Sequence, residues 1–368
     1  MRAVLIAAFV MTQIAGCARA ASTSPVFSIA DLERALASAP ANSVIAIAPG
    51  QYPTPVLKDL HLTNVTITSA DPAHPAVFVG GGIKASSGVT FDHIDFESVF
   101  GHAFDINSSD HVQVVNSRIY SRGDPSTAGD GLGIWGSRNI SVTGSEFHNL
   151  RLGLIYNTQE HLSIVGNTFH DIREHGIHGA QSNYVLVEDN DFTDFYPAPR
   201  DHPDAMFLST SGVKVTSHDF IFRNNAVIKG KGARIQGVFV KDTSHLYPFS
   251  NVTVDGNWIL GEGYNGIGIN GAVSPVVTNN HVLSYGPHDN WLRLQYTSDA
   301  KVMDNEVNVL MIDNTNTGSI VSKGNKLKDE ISPEEGVRKF TAWRSARDAR
   351  AQSLRANKDA EARAVNAN

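Results

Sequence analysis

Cysteine is nearly absent: Cys17 is the only one in 368 residues. No intramolecular disulfide can form, and a cysteine-based zinc site is excluded. A basic excess is also missing. The chain has 30 Lys and Arg against 37 Asp and Glu, a net charge of −7, which argues against a general nucleic-acid binder. Long apolar runs are absent beyond the first residues, so no later segment is apolar enough to cross a membrane. What is present suits a folded, strand-rich chain. Hydrophobic residues make up 41% and charged residues 18%, with 31 glycines. Val, Ile, Asn, Thr and Ser are frequent, as strands and tight turns require.

The first twenty residues read as an address rather than as structure. Arg2 precedes an apolar run, Ala3 to Gly16, that is too short to span a bilayer and fits a secretory signal. Two processing sites compete. Ile14-Ala15-Gly16-Cys17 has the form of a lipobox, which would make Cys17 a lipid-bearing N-terminus. Ala18-Arg19-Ala20 has the form of an ordinary small-x-small site, which would discard the cysteine. Both predict export, to the periplasm, to an outer-membrane anchor or out of the cell. The absence of other cysteines suits an oxidising compartment.

An internal repeat decides the architecture. A β-rich stretch ends in a small residue or Asn, with an apolar residue two positions on. The mark falls at Ser117, Ser145, Asn167, Asn190, Asn225, Asn257, Asn280, Asn305 and Asn325. The spacings are 28, 22, 23, 35, 32, 23, 25 and 20 residues. A second strand recurs between the marks, as in HAFDI (102–106), DGLGI (130–134), HGIHG (175–179) and QGVFV (236–240). Its alternation means one face in and one face out. A short period with several strands per repeat predicts an all-β, right-handed parallel β-helix over 26–328. One coil cannot bury its own apolar face, so stacked coils share a continuous core. Roughly ten coils at about 4.8 Å each give a rod on the order of 45 Å. The Asn marks should stack as a ladder of side-chain amides.

A solenoid needs covered ends. At the N-terminus, Ser28 and Asp31 form a capping box for a short helix with Ile29, Leu32 and Leu36 on one face. At the other end Ser332-Pro333-Glu334-Glu335 starts a second short helix, within a 332–368 segment of helix and tail. Val337, Phe340 and Trp343 are placed to pack it on the last coil. From Ser332 onward basic residues outnumber acidic ones by eight to five, so the rest of the chain carries −10.

The N-terminal helix, the strand SVIAIAPGQY (43–52) and the NxF-type coils together resemble the pectate-lyase-like superfamily of parallel β-helix proteins. The resemblance covers roughly residues 26 to 328. It implies the fold, and an activity among uronate polysaccharide lyases, C5-epimerases, polygalacturonase-type hydrolases and carbohydrate-binding proteins. Fold alone does not choose among them. One stretch narrows the field: Arg200-Asp201-His202-Pro203-Asp204 resembles the Asp-Pro-His-Asp signature of the C5-epimerases and related lyases. Here His precedes Pro, so the resemblance carries over only as far as placing His202 and Asp204 at a strand start facing substrate.

The irregular coils point to the same place. The long intervals between marks hold loops with Arg122-Gly123-Asp124, Tyr196 to His202, Lys229 to Arg234 and His245-Leu246-Tyr247, and function concentrates on such loops. Aligning the repeated strands puts His175 and Asp204 side by side on adjacent coils. His178 shares a strand with His175. Lys241 and Arg293 add positive charge further along, and Arg200 and Arg234 reach in from loops. Trp135, Phe207 and Phe239 offer flat surfaces for a sugar ring, and Asp130 lies in the His175–Asp204 column.

This set suits proton abstraction beside a carboxylate. β-Elimination on a uronic acid removes the C5 proton, which needs a base within reach and cations to hold the developing charge. His175, His202 and Asp204 are the candidates for base and base-orienting carboxylate, with Tyr196 as the acid. Arg200, Arg234, Lys241 and Arg293 are the candidate clamps; His178, Asp130, Trp135, Phe207 and Phe239 complete the substrate contacts. Epimerisation shares the first step. A hydrolase would need carboxylates roughly 5 to 9.5 Å apart, whereas Asp130 and Asp204 are three coils apart. A non-catalytic binding protein would use the same groove. Calcium could replace the basic clamps, since Asp and Asn oxygens are plentiful, but no EF-type or RTX loop is present. The expected partner is an acidic polysaccharide, and the expected state is a monomer.

Overall fold

The computed structural model describes residues 25–123, 128–285 and 288–366, with side chains described through residue 353. The Arg2 to Gly16 run, Cys17 and Asp124 lie outside the described residues. The chain winds into a parallel β-solenoid of about twelve turns. That exceeds the roughly ten expected, because the first turns lack the repeat mark that the spacing counted.

Each regular turn contributes a strand to each of three faces. The first face stacks Asp110–Val115, Arg138–Thr143, Glu160–Val165, Asn183–Glu188, His218–Arg223 and Phe249–Asp255. The second stacks Arg118–Ser121, Asp191–Thr193, Ala226–Ile228 and Trp258–Leu260, with the first halves of Glu146–Asn157 and Thr168–Ala180. The third stacks His102–Asn107, Asp130–Trp135, the second halves of the same two long strands, Asp204–Ser209, Gln236–Lys241 and Asn265–Val273. All of these pairings are parallel, and inward side chains form a single core. Aromatic rings stack along it: Phe147 on Phe169 at 4.5 Å and Phe169 on Phe192 at 4.8 Å between ring centres. Fully burying such a ring contributes about 1.5–3 kcal/mol.

The corner between the first two faces is held by the expected ladder. Asn167, Asn190, Asn225, Asn257, Asn280 and Asn305 are at most 1% exposed. Each Oδ1 from Asn190 onward accepts the backbone N–H and the Nδ2 of the preceding asparagine, as where Asn225 Oδ1 takes Asn190 N at 3.0 Å and Asn190 Nδ2 at 3.0 Å. Each Nδ2 also donates to a carbonyl of the preceding turn, Asn225 to Val187 O at 2.9 Å. Toward the N-terminus the ladder continues with hydroxyls. Ser145 N donates to Asn167 Oδ1, Ser117 N to Ser145 Oγ, and Ile94 N to Ser117 Oγ, at 2.9, 3.1 and 3.2 Å. The tight corners also need left-handed backbone, and Asn224 (φ 55) and Asp304 (φ 57) provide it, residue types that tolerate this region better than most.

The ends differ. Helix α1 (Ile29–Ala37) caps the N-terminal turn; Ser28 accepts Asp31 N–H at 3.1 Å, and Leu32 and Leu36 are buried. Helix α2 (Pro333–Asn366) is neither short nor an end cap. It runs back along the second face, where Ile228, Trp258, Leu260 and Leu283 form an apolar patch. Phe340 and Trp343 pack on Trp258, Leu260 and Leu283, not on the last coil, while Val337 is exposed. Arg344 and Arg347 pair with Asp191 at 2.5 and 2.7 Å. Among the described residues nothing covers the last turn, and Lys323, Lys326 and Lys328 stand exposed on it, charges that discourage strand addition at an open edge. No helix among the described residues is long and apolar enough to cross a membrane.

Replacing Asn225 with Ala should lower unfolding stability by about 2–5 kcal/mol, since each buried polar group left unpaired costs about 1–3 kcal/mol. Asn325→Ala, at the open end, should cost clearly less. Denaturant midpoints of the two variants give the comparison, and equal losses would deny the ladder its role.

Candidate active site

Cross-strand register brings the candidate residues together. On the third face Leu152 pairs with His175, His175 with Asp204, and Asp204 with Gln236. Asp204 is fully buried and lies between two imidazoles. His202 Nδ1 is 2.9 Å from Asp204 Oδ2, and His175 Nδ1 is 3.3 Å from the same oxygen. The first contact is a hydrogen bond. The second is within ion-pair reach but outside hydrogen-bonding geometry, and among the described residues His175 Nδ1 and Asp204 Oδ1 are buried without a hydrogen-bond partner. The far side of His202 meets Gln236, whose Nε2 is 2.7 Å from His202 Nε2, and Gln236 Oε1 accepts Asn265 Nδ2 at 2.6 Å.

The polar contacts continue toward the N-terminal turns. Glu174 Oε1 lies 3.8 Å from His175 Nε2. Arg151 joins Glu174 to Asp130 at 3.4 and 2.7 Å. His102 then lies between Asp130, at 3.9 Å, and Asp105, at 3.1 Å, and Asp105 also accepts Trp135 Nε1 at 3.0 Å. Charged and amide side chains thus run across the third face from Asp105 to Asn265.

Arg151 and Glu174 were not singled out in the sequence. Their signal was a one-residue change in period. The mark advances by 22 residues from Ser145 to Asn167 and by 23 to Asn190. The extra residue is a β-bulge: Leu150 pairs with Ile172, but Leu152 pairs with His175. Arg173 and Glu174 therefore oppose Arg151 alone, and bulges re-aim side chains in this way. Arg173 turns to the loop and pairs with Asp201 at 2.8 Å.

The other candidates divide. The His178 ring is 5.1 Å from His175 and 5.0 Å from Phe207, and Phe207 stacks on Phe239 at 5.8 Å. Lys241 is exposed at the end of the Asp204–Gln236 ladder, near enough for its charge to be felt at His202. Arg200 is exposed on the loop with φ 84. Arg234 lies over the Tyr264 ring at 5.7 Å. Arg293 is half-buried and its charge favours ionised Asp313. Tyr196 is 42% exposed, beside Asp194 and Asp171, and its hydroxyl makes no hydrogen bond to the histidines among the described residues. The loops split between corners: 194–203 and 229–235 flank the start of the third-face strands, while His245-Leu246-Tyr247 lies at their far end. Outside the groove, His148 and His170 stack on the second face at 5.4 Å, as a structural pair.

The environments tune the imidazoles apart. The hydrogen bond His202 donates to Asp204 holds the imidazole above the ordinary 6.5. Burial, aided by His175, pushes His178 down to about 4. The hydrogen bond to Asp105 raises His102. At Asp105 burial opposes ionisation, but hydrogen bonds from His102 and Trp135 outweigh it and lower the carboxyl. Among the described residues no group of three or more His, Cys, Asp or Glu side chains is arranged to hold a metal ion.

The family model described as right handed beta helix region matches residues 58–227 and 126–282. This is more than half of the chain, so the protein belongs to that family, and the solenoid is right-handed. No curated protein matches it. Solved structures with the same fold include the mannuronan C-5 epimerase AlgE6 A-module of Azotobacter vinelandii, at 13% identity and TM-score 0.58, covering 83% of this chain and 91% of that one. An exopolygalacturonase from Thermotoga maritima matches at 9% identity and TM-score 0.54, covering 83% and 92%. PfbA, a surface adhesin of Streptococcus pneumoniae, matches at 14% identity and TM-score 0.51, covering 84% and 90%. At these identities the likeness establishes the fold alone.

Proton titration by NMR should find His178 titrating near 4 and His202 above 6.5, with Asp204→Asn returning His202 toward its ordinary value. The two have opposite effects on stability. Between pH 6.5 and about 4 the unfolded chain protonates before His178, so acid erodes stability there. The His202–Asp204 contribution is full below 6.5 and is lost as pH rises through the folded pKa.

Proposed function

We propose that the protein is an exported enzyme that cleaves an acidic, uronate-containing polysaccharide by β-elimination. Export rests on the Arg2 to Gly16 segment. The reaction rests on one observation: a fully buried Asp204 holds His202, whose side chain is 56% exposed, against 6% for His175. Only His202 is open to a polymer lying in the groove, so His202 is the base and Asp204 its orienting carboxylate. His175 stays beneath, on the other side of the same carboxylate.

In this reading His202 Nε2 exchanges its Gln236 contact for the substrate and takes the C5 proton. The C5–H electrons form the C4–C5 double bond and the C4–O bond breaks. The departing oxygen takes a proton from Tyr196, whose hydroxyl slight desolvation and then Asp194 and Asp171 hold above 10.0 and hence protonated. Lys241 and Arg293 neutralise the sugar carboxylate, which makes the C5 proton removable. Arg151 is less suited, being already shared by two carboxylates. Phe207 and Phe239 support the ring face, and His178, neutral at pH 7, adds no competing charge.

A second reading, C5-epimerisation, is favoured by the two imidazoles on one carboxylate, since it returns a proton to C5 from the other face. It shows as solvent deuterium at C5 without cleavage.

With a panel of uronate polysaccharides, ultraviolet absorbance of unsaturated uronic ends should rise. His202→Ala should cut kcat/KM by about 100-fold or more, the usual worth of a positioned base. The rising limb of the pH profile should lie above 6.5 and move down in Asp204→Asn. Reducing ends released without absorbance would replace elimination by hydrolysis.

A further inference from the structure

One column of the third face carries no carboxylate over most of its length. At the ends of the strands, register places Lys58 beside Lys84, Lys84 beside Asn107, Asn107 beside Trp135 and Trp135 beside Asn157. Beyond the His175 turn, Ser209, Lys241, Asn270 and Gln295 continue it. The first acid in line is Asp313, one turn past Gln295, and Gln295 and Thr315 bond to it. Asp242, next to Lys241, is buried and occupied by Thr210 and Tyr247. The acids Asp130, Glu174 and Asp204 stand at the opposite side of the face, where its strands begin. Between the two sides Gly82, Gly133 and Gly268 keep the floor shallow, and the one acid there, Asp105, is held by His102 and Trp135. Lys58 and Lys84 are the unexplained members of the column. Both are exposed, they lie directly opposite each other, and neither ammonium forms an ion pair among the described residues, not even with Asp59 next in the chain. Like charges placed opposite each other on paired strands are destabilising. Lys58 is on the first strand of the face, where a charge also discourages strand addition. Lys84 is one turn inside, where edge protection needs no charge.

We propose that Lys58 and Lys84 form a distal anion subsite, which holds the carboxylates of an acidic polysaccharide far from His202 and makes the protein prefer long chains. The polymer follows from the function proposed above; the position of the subsite follows from register alone. Five strand steps separate Lys84 from Ser209, which shares its strand with Asp204, or about 24 Å at the usual strand spacing. A pyranose ring advances a chain by a distance close to one such step, so a polymer along the axis reaches Lys84 roughly five sugars from the scissile bond. Its acidic edge then faces the column free of carboxylates, with Lys241 near the site and the lysine pair at the far end. Each ammonium supplies three donors, and a carboxylate between the two relieves their mutual repulsion through charge-assisted hydrogen bonds. Asn107, Trp135 and Asn157 offer donors to the hydroxyls and ring oxygens of the sugars between.

The test is titration calorimetry on full-length His202→Ala protein, which binds without turnover. The probes are uronate oligomers too short to reach from His202 to Lys84, uronate oligomers long enough to span that distance, and the long oligomers with their carboxyls reduced to alcohols. Long uronate oligomers should bind more tightly than short ones. Lys58→Gln with Lys84→Gln should weaken the long ones roughly three- to tenfold, the worth of two exposed charge contacts, and leave the short and the carboxyl-reduced ones unchanged. Lys84→Arg should retain the long-chain advantage. Both lysines are exposed, so these variants leave the core intact. An advantage of long chains unchanged in the double variant, or an equal loss for short, long and carboxyl-reduced probes, would overturn the proposal. The parallel absorbance assay on the unsubstituted protein keeps the two readings apart. Elimination with no lysine-dependent preference for long chains defeats this inference alone, and such a preference without elimination defeats only the proposed reaction.

Discussion

The asparagine ladder sets the register on which everything else depends. A parallel solenoid has no hairpins to fix how one turn lies on the next, and a one-residue slip would exchange inward and outward side chains. A buried amide with two donors and an acceptor resists that slip. Asn225 is tied to Asn190 below, to Asn257 above and to the Val187 carbonyl. Displacing one turn would strand several of these groups together. The serines at Ser117 and Ser145 do the same with one hydroxyl, consistent with the lower demand on turns already held by dense aromatic packing around Phe78, Phe91, Phe96 and Phe104.

Fixed register turns sequence-distant residues into neighbours. His175 and Asp204 are separated along the chain by a long loop, yet they face each other because Phe169 and Phe192 are stacked in the same turns. The loop then adds what the repeat cannot. His202 reaches Asp204 from outside the ladder, and the Arg173–Asp201 pair ties the loop back to the bulged strand. The site therefore combines a column set by strand register with one arm supplied by a loop.

The same column carries the charge pattern. Carboxylates and cations alternate from Asp105 to Glu174, and the sequence of contacts ends in the neutral amides Gln236 and Asn265. Exposed lysines stand toward both ends of this face, Lys58 and Lys84 on the N-terminal strands and Lys241 on the C-terminal side. A ligand in the groove meets this local pattern rather than the chain's overall negative charge, because the local field outweighs the net charge in a cleft. Helix α2 stays clear of it, held to the second face by Trp258, Phe340 and Trp343 and by the arginines on Asp191.

The repeat, the ladder and the columns of outward residues were legible in the sequence, because strand period and Asn spacing are local properties that stacking merely multiplies. His175, Asp204, Phe207 and Phe239 could be brought together from that alignment, and His202 came from the Asp201-His202-Pro203-Asp204 stretch beside it. The number of turns was less legible, since the first turns use other residues at the corner. So was the path of α2, which depends on which outward face is apolar. Arg151 and Glu174 escaped because a bulge, visible only as a single extra residue between two marks, turns the strand. Which imidazole faces the groove was decided by tertiary structure alone: burial and a shared carboxylate are properties of the assembled turns, and neither His175 nor His202 carries them in its own sequence.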